Sequence, residues 1–140
     1  MKFKNLFFVI IGLSSFTFQT SETCTLQVKI HNLRNLKGQM ILEIYDQKKN
    51  YVDHPMARFV KEKTLTKNDT LTFYIKGLKK GQYAAAILDD QNKDDKMEFS
   101  MLHLPLEGFG FSNNIQATLL GKPAYEDVLF SVPENKEIKI

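Results

Sequence analysis

The stretch GLKKGQYAAAILDD, residues 77–90, decides the fold class. Leu78 to Tyr83 has the form Leu-x-x-Gly-x-Tyr, in which a tyrosine at the start of a strand turns its hydroxyl back onto the backbone of the preceding loop. Apolar positions at Tyr83, Ala85 and Ile87 then recur with the period of two that is typical of a strand. The stretch therefore predicts a tyrosine corner that leads into a central strand of an antiparallel sandwich.

The same period of two continues on both sides of this stretch. The predicted strands cover residues 26–30, 40–44, 58–65, 71–75, 82–89, 128–132 and 138–140. Turn signals rich in Gly, Asn and Asp separate them, and no segment has a convincing helical period. We therefore predict an all-β fold, an antiparallel β-sandwich of about seven strands with one long loop, either immunoglobulin-like or transthyretin-like.

The first residues have the order of a secretory signal peptide. Lys2 and Lys4 precede an apolar run from Leu6 to Phe18, and small polar residues follow it. The run is shorter than the roughly 20 apolar residues of a permanent transmembrane helix. We predict a signal peptide over residues 1–21, a folded domain over 24–140, and export to the periplasm, the cell envelope or the medium.

Two alternatives connect the chain to a membrane. One is an uncleaved leader, and the other is a lipid on Cys24 after cleavage just before it. Residues 21–23, Ser-Glu-Thr, match a lipoprotein cleavage site poorly, so the second is a minor alternative. Because Cys24 is the only cysteine, the chain forms no internal disulfide and no thiolate zinc site.

Charge argues against nucleic acid as a partner. The formal net charge of +3 falls to +1 when Lys2 and Lys4 leave with the leader. The remaining basic residues are dispersed, and the pairs at 48–49 and 79–80 lie at turns. A nucleic-acid interface needs a basic patch with interleaved aromatic residues, which this sequence lacks.

The segment DDQNKDDKMEF, residues 89–99, concentrates side-chain oxygens. Four of its residues are candidate calcium ligands: Asp90, Asn92, Asp94 and Glu98. Counted from Asp90, however, the glycine and the bidentate glutamate of a calcium loop fall on Asp95 and Met101. The alternative is that these side chains bond their own backbone in Asx turns, and we favour it.

The segment EGFGFSNN, residues 107–114, lies in a long connection over residues 99–124. Its glycines allow sharp turns or close approach of another segment, while its aromatic and amide side chains can anchor and cap the loop. The candidate binding residues here are Phe109, Phe111, Asn113 and Asn114. Glu126 and Asp127, after the long connection, are further candidates that could close hydrogen bonds from this loop to the next strand. We interpret the segment first as a device that folds the loop and second as a ligand-facing surface of the 89–124 region.

Catalysis is the competing function class. A carboxylate-based hydrolase could use Asp90, Glu107, Glu126 and Asp127 if they converged in one pocket. No nucleophile and base pair is visible, and Ser112 lacks the strand-turn-helix elbow of a hydrolase serine. We therefore predict no catalytic residues and favour a binding or envelope-associated module for a protein or carbohydrate surface, with calcium as the one candidate cofactor.

Four segments occur in an order that resembles a known family. They are LKGQMILEIYD, GLKKGQYAAAILDDQNKDDKMEF, LPLEGFGFSNN and GKPAYEDVLFSV, and together they resemble the bacterial family DUF2141 over nearly the whole chain after the leader. The resemblance implies an exported, mostly β protein without an established activity. The family usually has His-Asp at the end of its central strand and an Asn-Gly turn in the acidic loop. This chain has Leu88 before Asp89-Asp90, and Asp95 where the glycine commonly falls.

Overall fold

The computed structural model describes residues 23–63, 70–117, 121–132 and 136–139, with only the backbone in the last range. The predicted leader lies outside the described residues, as do the end of the predicted strand 58–65 and the last residue of the predicted strand 138–140. Within them, no helix is long and apolar enough to span a membrane.

Eight strands account for most of the regular structure in the described ranges. They are β1 (Thr23–Ile30), β2 (Gln39–Tyr45), β3 (Ala57–Glu62), β4 (Leu71–Lys79), β5 (Gly81–Asp90), β6 (Gly108–Phe111), β7 (Phe130–Val132) and β8 (Lys136–Lys139). Two short 3₁₀ turns, Lys48–Asn50 and Ser112–Asn114, follow β2 and β6.

The strands form two sheets. The smaller sheet has the order β4-β1-β8, and the larger has the order β3-β2-β5-β6, with β7 paired to the first residues of β5. All pairs are antiparallel except β1 with β8, which the sequence pattern does not predict. The predicted all-β sandwich is confirmed, and β5 is its hub because it pairs with β2 on one side and with both β6 and β7 on the other.

The main core lies between the two sheets. Alternate residues of β1 and β4 pack against alternate residues of β2 and β5, and they include Leu26, Val28, Phe73, Ile75, Met40, Leu42, Ile44 and Ala85. Each large aliphatic side chain buried in this way contributes about 1.5–3 kcal/mol relative to an exposed one. The predicted alternation of these strands is therefore a core-facing pattern.

The larger sheet is buried on its outer face as well. Residues 121–132 cross one end of that face and complete a second cluster with β2, β5 and β6, formed by Tyr45, Tyr51, Ala84, Phe111, Tyr125 and Val128. The Tyr51 ring lies 5.5 Å from the rings of Tyr45 and Tyr125. Since both of its faces are covered, β2 reads as the nearly continuous apolar run MILEIY.

The structure corrects the prediction that residues 107–114 form only loop. Gly108–Phe111 is a strand, with Gly108 opposite Asp89 and Phe111 opposite Ala86 on β5. Glycine is depleted in strands, which hides β6 from pattern analysis. A Cβ on Gly108 would lie 3.0 Å from the Asp89 Cβ, so close approach explains this glycine. The connection 99–124 is therefore a strand flanked by two loops.

The predicted tyrosine corner is present. Tyr83 is buried, and its hydroxyl donates a 3.0 Å hydrogen bond to the carbonyl of Lys79, four residues earlier. Burial raises the pKa of Tyr83 above the usual tyrosine value. The bond ties the β4–β5 turn to the first residues of the central strand.

Tyr83→Phe should lower the free energy of unfolding by about 1–3 kcal/mol, because it leaves the Lys79 carbonyl without this donor. The matched control is Tyr74→Phe. Tyr74 is 63 % exposed on the outer face of the smaller sheet, and its hydroxyl accepts a hydrogen bond from Gln27 Nε2 at 3.1 Å. Water can replace that bond in Tyr74→Phe. Urea denaturation measures both values, and equal midpoints for Tyr83→Phe and the parent chain would show that the corner bond contributes nothing.

Candidate binding cleft and acidic loop

Asp90 organises the acidic loop at the end of β5. Its carboxylate is fully buried, and Oδ1 accepts the backbone N–H groups of Lys93 at 2.7 Å and Asp94 at 3.2 Å. Oδ2 accepts the N–H of Asp95 at 3.1 Å and the side-chain amide of Gln39 at 2.8 Å. One carboxylate therefore satisfies three consecutive backbone donors of a tight turn.

These hydrogen bonds also set the charge of Asp90. Burial alone would raise the pKa of its carboxyl group, but the bonds from Gln39 and the three loop amides outweigh burial and lower the pKa. Asp90 is therefore held as a carboxylate that is already paired with donors of its own chain.

The other predicted calcium ligands bond within the loop too. Asn92 Oδ1 accepts the N–H of Asp94 at 3.1 Å, and Asp94 Oδ1 accepts that of Lys96 at 2.9 Å, which are Asx turns. The Asn92 amide donates to Glu98 Oε1 at 2.9 Å. In the described parts of the chain, no three His, Cys, Asp or Glu side chains are grouped to hold a metal ion. Calcium binding here stays a prediction.

The acidic loop and the EGFGFSNN segment meet at one end of the sandwich. Glu107 is buried, and its Oε1 accepts the backbone N–H of Gln91 at 2.9 Å. Close to this contact, Gly38 has a φ of 74°, and a Cβ on it would lie 2.1 Å from the Asp90 carbonyl oxygen. Only glycine fits there, so the β1–β2 loop packs directly on the acidic loop.

The SNN end of the same segment is fastened to residues 121–132. The buried Ser112 hydroxyl donates to the Val128 carbonyl and accepts the N–H of Ala85 at 3.0 Å. Asn113, with a φ of 62°, donates its amide to the carbonyls of Asp127 at 3.1 Å and Leu129 at 2.8 Å. Both asparagines are exposed, and the predicted capping role fits Asn113, which holds these two carbonyls.

The four carboxylates of the hydrolase alternative do not share a pocket. Asp90 and Glu107 lie at one end of β5, while Glu126 is exposed and pairs with Lys48 Nζ at 2.7 Å. Glu126 and the adjacent Asp127 belong to the segment that covers Ala84, six positions from Asp90 along β5, a separation of about 20 Å. The hydrogen bond from Lys48 lowers the pKa of Glu126.

A cleft of about 700 Å³ opens on the outer face of the larger sheet, beside the aromatic cluster. Its floor comes from β2, β5 and β6, and two loops form its walls. The floor residues include Ile41, Ala86, Leu88, Phe109 and Phe111, and the walls include Met97, Phe99, Leu104, Pro105, Ala117 and Lys122. Phe109 is 39 % exposed, whereas Phe111 is buried. Of the two predicted phenylalanines, Phe109 therefore faces the open space.

The charged residues that line the cleft are paired with protein groups. Arg58 Nε lies 3.7 Å from Glu43 Oε1, and its terminal nitrogen lies 3.4 Å from Asp95 Oδ1. Lys122 Nζ donates to the Tyr51 carbonyl at 3.1 Å and stands 5.3 Å above the Tyr51 ring. The lining has two basic residues, Arg58 and Lys122, and two acidic residues, Glu43 and Asp95. Its formal charges therefore balance, and the rest of the named lining is mostly apolar.

One wall of the cleft ends in an apolar tip. The Leu106 N–H bonds the Glu98 carbonyl at 2.9 Å and the Ser100 N–H bonds the Leu104 carbonyl at 2.8 Å, so residues 98–106 form a small hairpin. At its tip Met101 is 98 % and Leu102 is 80 % exposed. These two apolar residues lie in the same hairpin as the wall residues Phe99 and Leu104.

Sequence reasoning located part of this site. The 89–124 region supplies the wall residues named above, and the predicted Phe109 and Phe111 supply part of the floor. It missed Ile41, Arg58 and Leu88, which come from three other places in the chain. A signal for the covered outer face is present in the nearly continuous apolar run of β2.

Asp90→Ala should lower the free energy of unfolding by at least about 2 kcal/mol, because it leaves the half-buried amides of Lys93 and Asp95 without an acceptor. The Asp94 amide keeps Asn92 Oδ1 as its acceptor. Asp94→Ala removes the acceptor of one exposed amide and should cost about 1 kcal/mol or less. Melting temperatures should be equal with calcium and with a chelator. A calcium-dependent rise that Asp94→Ala abolishes would instead support a calcium site.

Stability should also decline in acid through Asp90. A folded-state pKa below the unfolded value of about 3.9 gives stability that is complete above about pH 5 and is lost as the pH falls through the folded pKa. The slope of unfolding free energy between about pH 5 and pH 2 should be shallower in Asp90→Asn than in the parent chain. Parallel slopes would mean that the carboxylate is not selectively stabilised.

A comparison with protein-family models identifies the family. The model described as "Uncharacterized protein conserved in bacteria (DUF2141)" matches residues 28–140. Comparisons with curated proteins and with solved structures found no match. The match extends from β1 to the end of the chain and includes both the acidic loop and the GFGFSNN segment. The chain therefore belongs to the DUF2141 family of bacterial proteins.

Proposed function

We propose that this chain is an exported, non-catalytic binding module that takes an uncharged, apolar group into the cleft on the outer face of its larger sheet. The observation that carries the proposal is the cleft itself, an apolar concavity of about 700 Å³ whose formal charges are already paired. Such volumes are common among sites for small molecules, which are mostly apolar with a few polar groups.

The pairing of charges favours an uncharged ligand. A charged group that entered the cleft would lose water, and the Arg58 and Lys122 groups that could compensate it already have protein partners. An apolar group loses no hydrogen bonds on entry and contacts Leu88 and Phe109 on the floor. The ligand can be a small molecule or an apolar side chain of a partner protein. A carbohydrate would need more free polar partners than this lining offers.

Export of the module rests on the leader. Lys2, Lys4 and the apolar run from Leu6 to Phe18 support a cleaved signal peptide and an envelope or extracellular setting. Lipidation of Cys24 would require a rearrangement, because its sulfur is buried in β1 and bonds the Leu78 carbonyl at 3.1 Å. The separation of the four carboxylates gives no support to hydrolysis and agrees with a binding role.

Three compounds of equal chain length test the ligand class: n-decanol, n-decanoate and n-decylamine. Each competes with a fluorescent apolar dye that reports occupancy of the cleft. We expect n-decanol to displace the dye, and the two charged compounds to bind at least about tenfold more weakly, equivalent to about 1.4 kcal/mol. Absence of dye and decanol binding would contradict the proposed function, and tighter binding of decanoate would contradict the ligand class alone.

Two matched variants locate the binding. Leu88→Trp should fill the cleft and abolish dye binding, and Phe109→Ala should weaken it by removing part of the floor. Tyr74→Ala is the control, since Tyr74 is an exposed aromatic residue on the opposite sheet. An equal loss in Tyr74→Ala would place the dye elsewhere on the protein.

A further inference from the structure

Lys63, the residue after β3, is an unusual lysine because its side chain is fully buried. Its Nζ donates to the Asp89 carboxylate and, at 3.1 Å, to the side-chain oxygen of Asn35. A lysine normally keeps its ammonium group in water, and burial is expensive unless the charge is compensated. Three residues that are distant in sequence thus bring an amine, a carboxyl group and a carboxamide into direct contact.

The carboxamide of Asn35 is held in a fixed orientation. Its Oδ1 accepts the backbone N–H of Lys37 at 2.9 Å as well as the Lys63 amine, and its Nδ2 donates to Gln91 Oε1 at 3.1 Å. The Lys37 N–H withdraws electrons from the amide carbon and stabilises negative charge that develops on that oxygen. The amine therefore lies beside a polarised and oriented electrophile.

We propose that Lys63 and Asn35 form an intramolecular isopeptide bond, with Asp89 as the group that moves the proton. Asp89 is itself buried, near the end of β5, and it contacts the reacting nitrogen directly. The direct contact between Nζ and the Asp89 carboxylate gives the Lys63 proton a path to Asp89. Fixed contact in the folded chain replaces a bimolecular encounter.

The reaction balances without any further reactant. The neutral Lys63 Nζ gives up its hydrogen bond to Oδ1 and attacks the Asn35 side-chain carbonyl carbon. The negative charge develops on Oδ1, which keeps the hydrogen bond from the Lys37 N–H. The bond between that carbon and Nδ2 then breaks, and the leaving nitrogen takes up protons, including the one held by Asp89. One Nζ–C amide bond forms, one C–Nδ2 bond breaks, and one ammonia leaves as ammonium with the proton first carried by Lys63.

Mass spectrometry of the folded protein tests the proposal. The measured mass should be lower than the sequence mass by one ammonia, and a protease digest should contain the peptides of Asn35 and Lys63 joined through their side chains. A mass equal to the sequence mass would show that Lys63 and Asp89 form only an ion pair. Loss of one water in place of ammonia would show that Asp89, and not Asn35, is the bonded partner. Either result overturns the proposal.

Variants identify the role of each residue. Lys63→Met and Asn35→Ala should restore the full sequence mass, and Asp89→Asn should do so while preserving the volume of the side chain. Lys93→Ala is the control, because Lys93 pairs with Glu62 at 2.8 Å on the surface and should leave the ammonia loss unchanged. Circular dichroism confirms folding of each variant. A folded Asp89→Asn chain that still loses ammonia would remove Asp89 from the proton transfer.

Discussion

The larger sheet has two apolar faces, and most of the structure follows from the need to cover both. The smaller sheet covers the inner face and forms the main core. On the outer face, β2 and β5 present Ile41, Tyr45, Ala84 and Leu88, which no second sheet covers. Loop segments take over this role, and the aromatic cluster around Tyr51 covers one end. Where their cover stops, the apolar surface continues as the floor of the cleft.

Much of this fold could be predicted from the sequence, because the signals for its strands and for the tyrosine corner lie within a few neighbouring residues. The alternation in β1 and β4 indicates one buried and one exposed face of each strand. The Leu78 to Tyr83 pattern indicates a hydrogen bond between residues only four positions apart. β6 escaped prediction because glycine has little strand propensity, and its position depends on close contact with Asp89 across β5. Pairing of β8 with β1 is a long-range choice that periodicity does not encode.

The candidate site shows the same division between local and long-range information. The Asx turns of the acidic loop and the role of Asp90 as the acceptor of nearby amide hydrogen bonds follow from residues only a few positions apart. The difference between Phe109 and Phe111 depends on which part of the outer face residues 121–132 cover. Burial of Lys63 could not be foreseen, because Asn35 and Asp89 approach it from separate loops and strands, and a lysine in sequence reads as a surface residue.

The outer edge of the larger sheet has a consequence for how the protein behaves at high concentration. In the described part of the chain β3 pairs only with β2, so its other side presents backbone groups that could extend the sheet into a neighbouring molecule. This strand carries Arg58, Lys61 and Glu62. Lys61 reaches the Thr72 carbonyl on the smaller sheet at 2.9 Å, and Lys93 holds Glu62 from the acidic loop. A second copy that docked here would have to strip water from these charges and break their contacts. Electrostatics therefore protects the sheet from edge-to-edge aggregation while leaving its apolar outer face open.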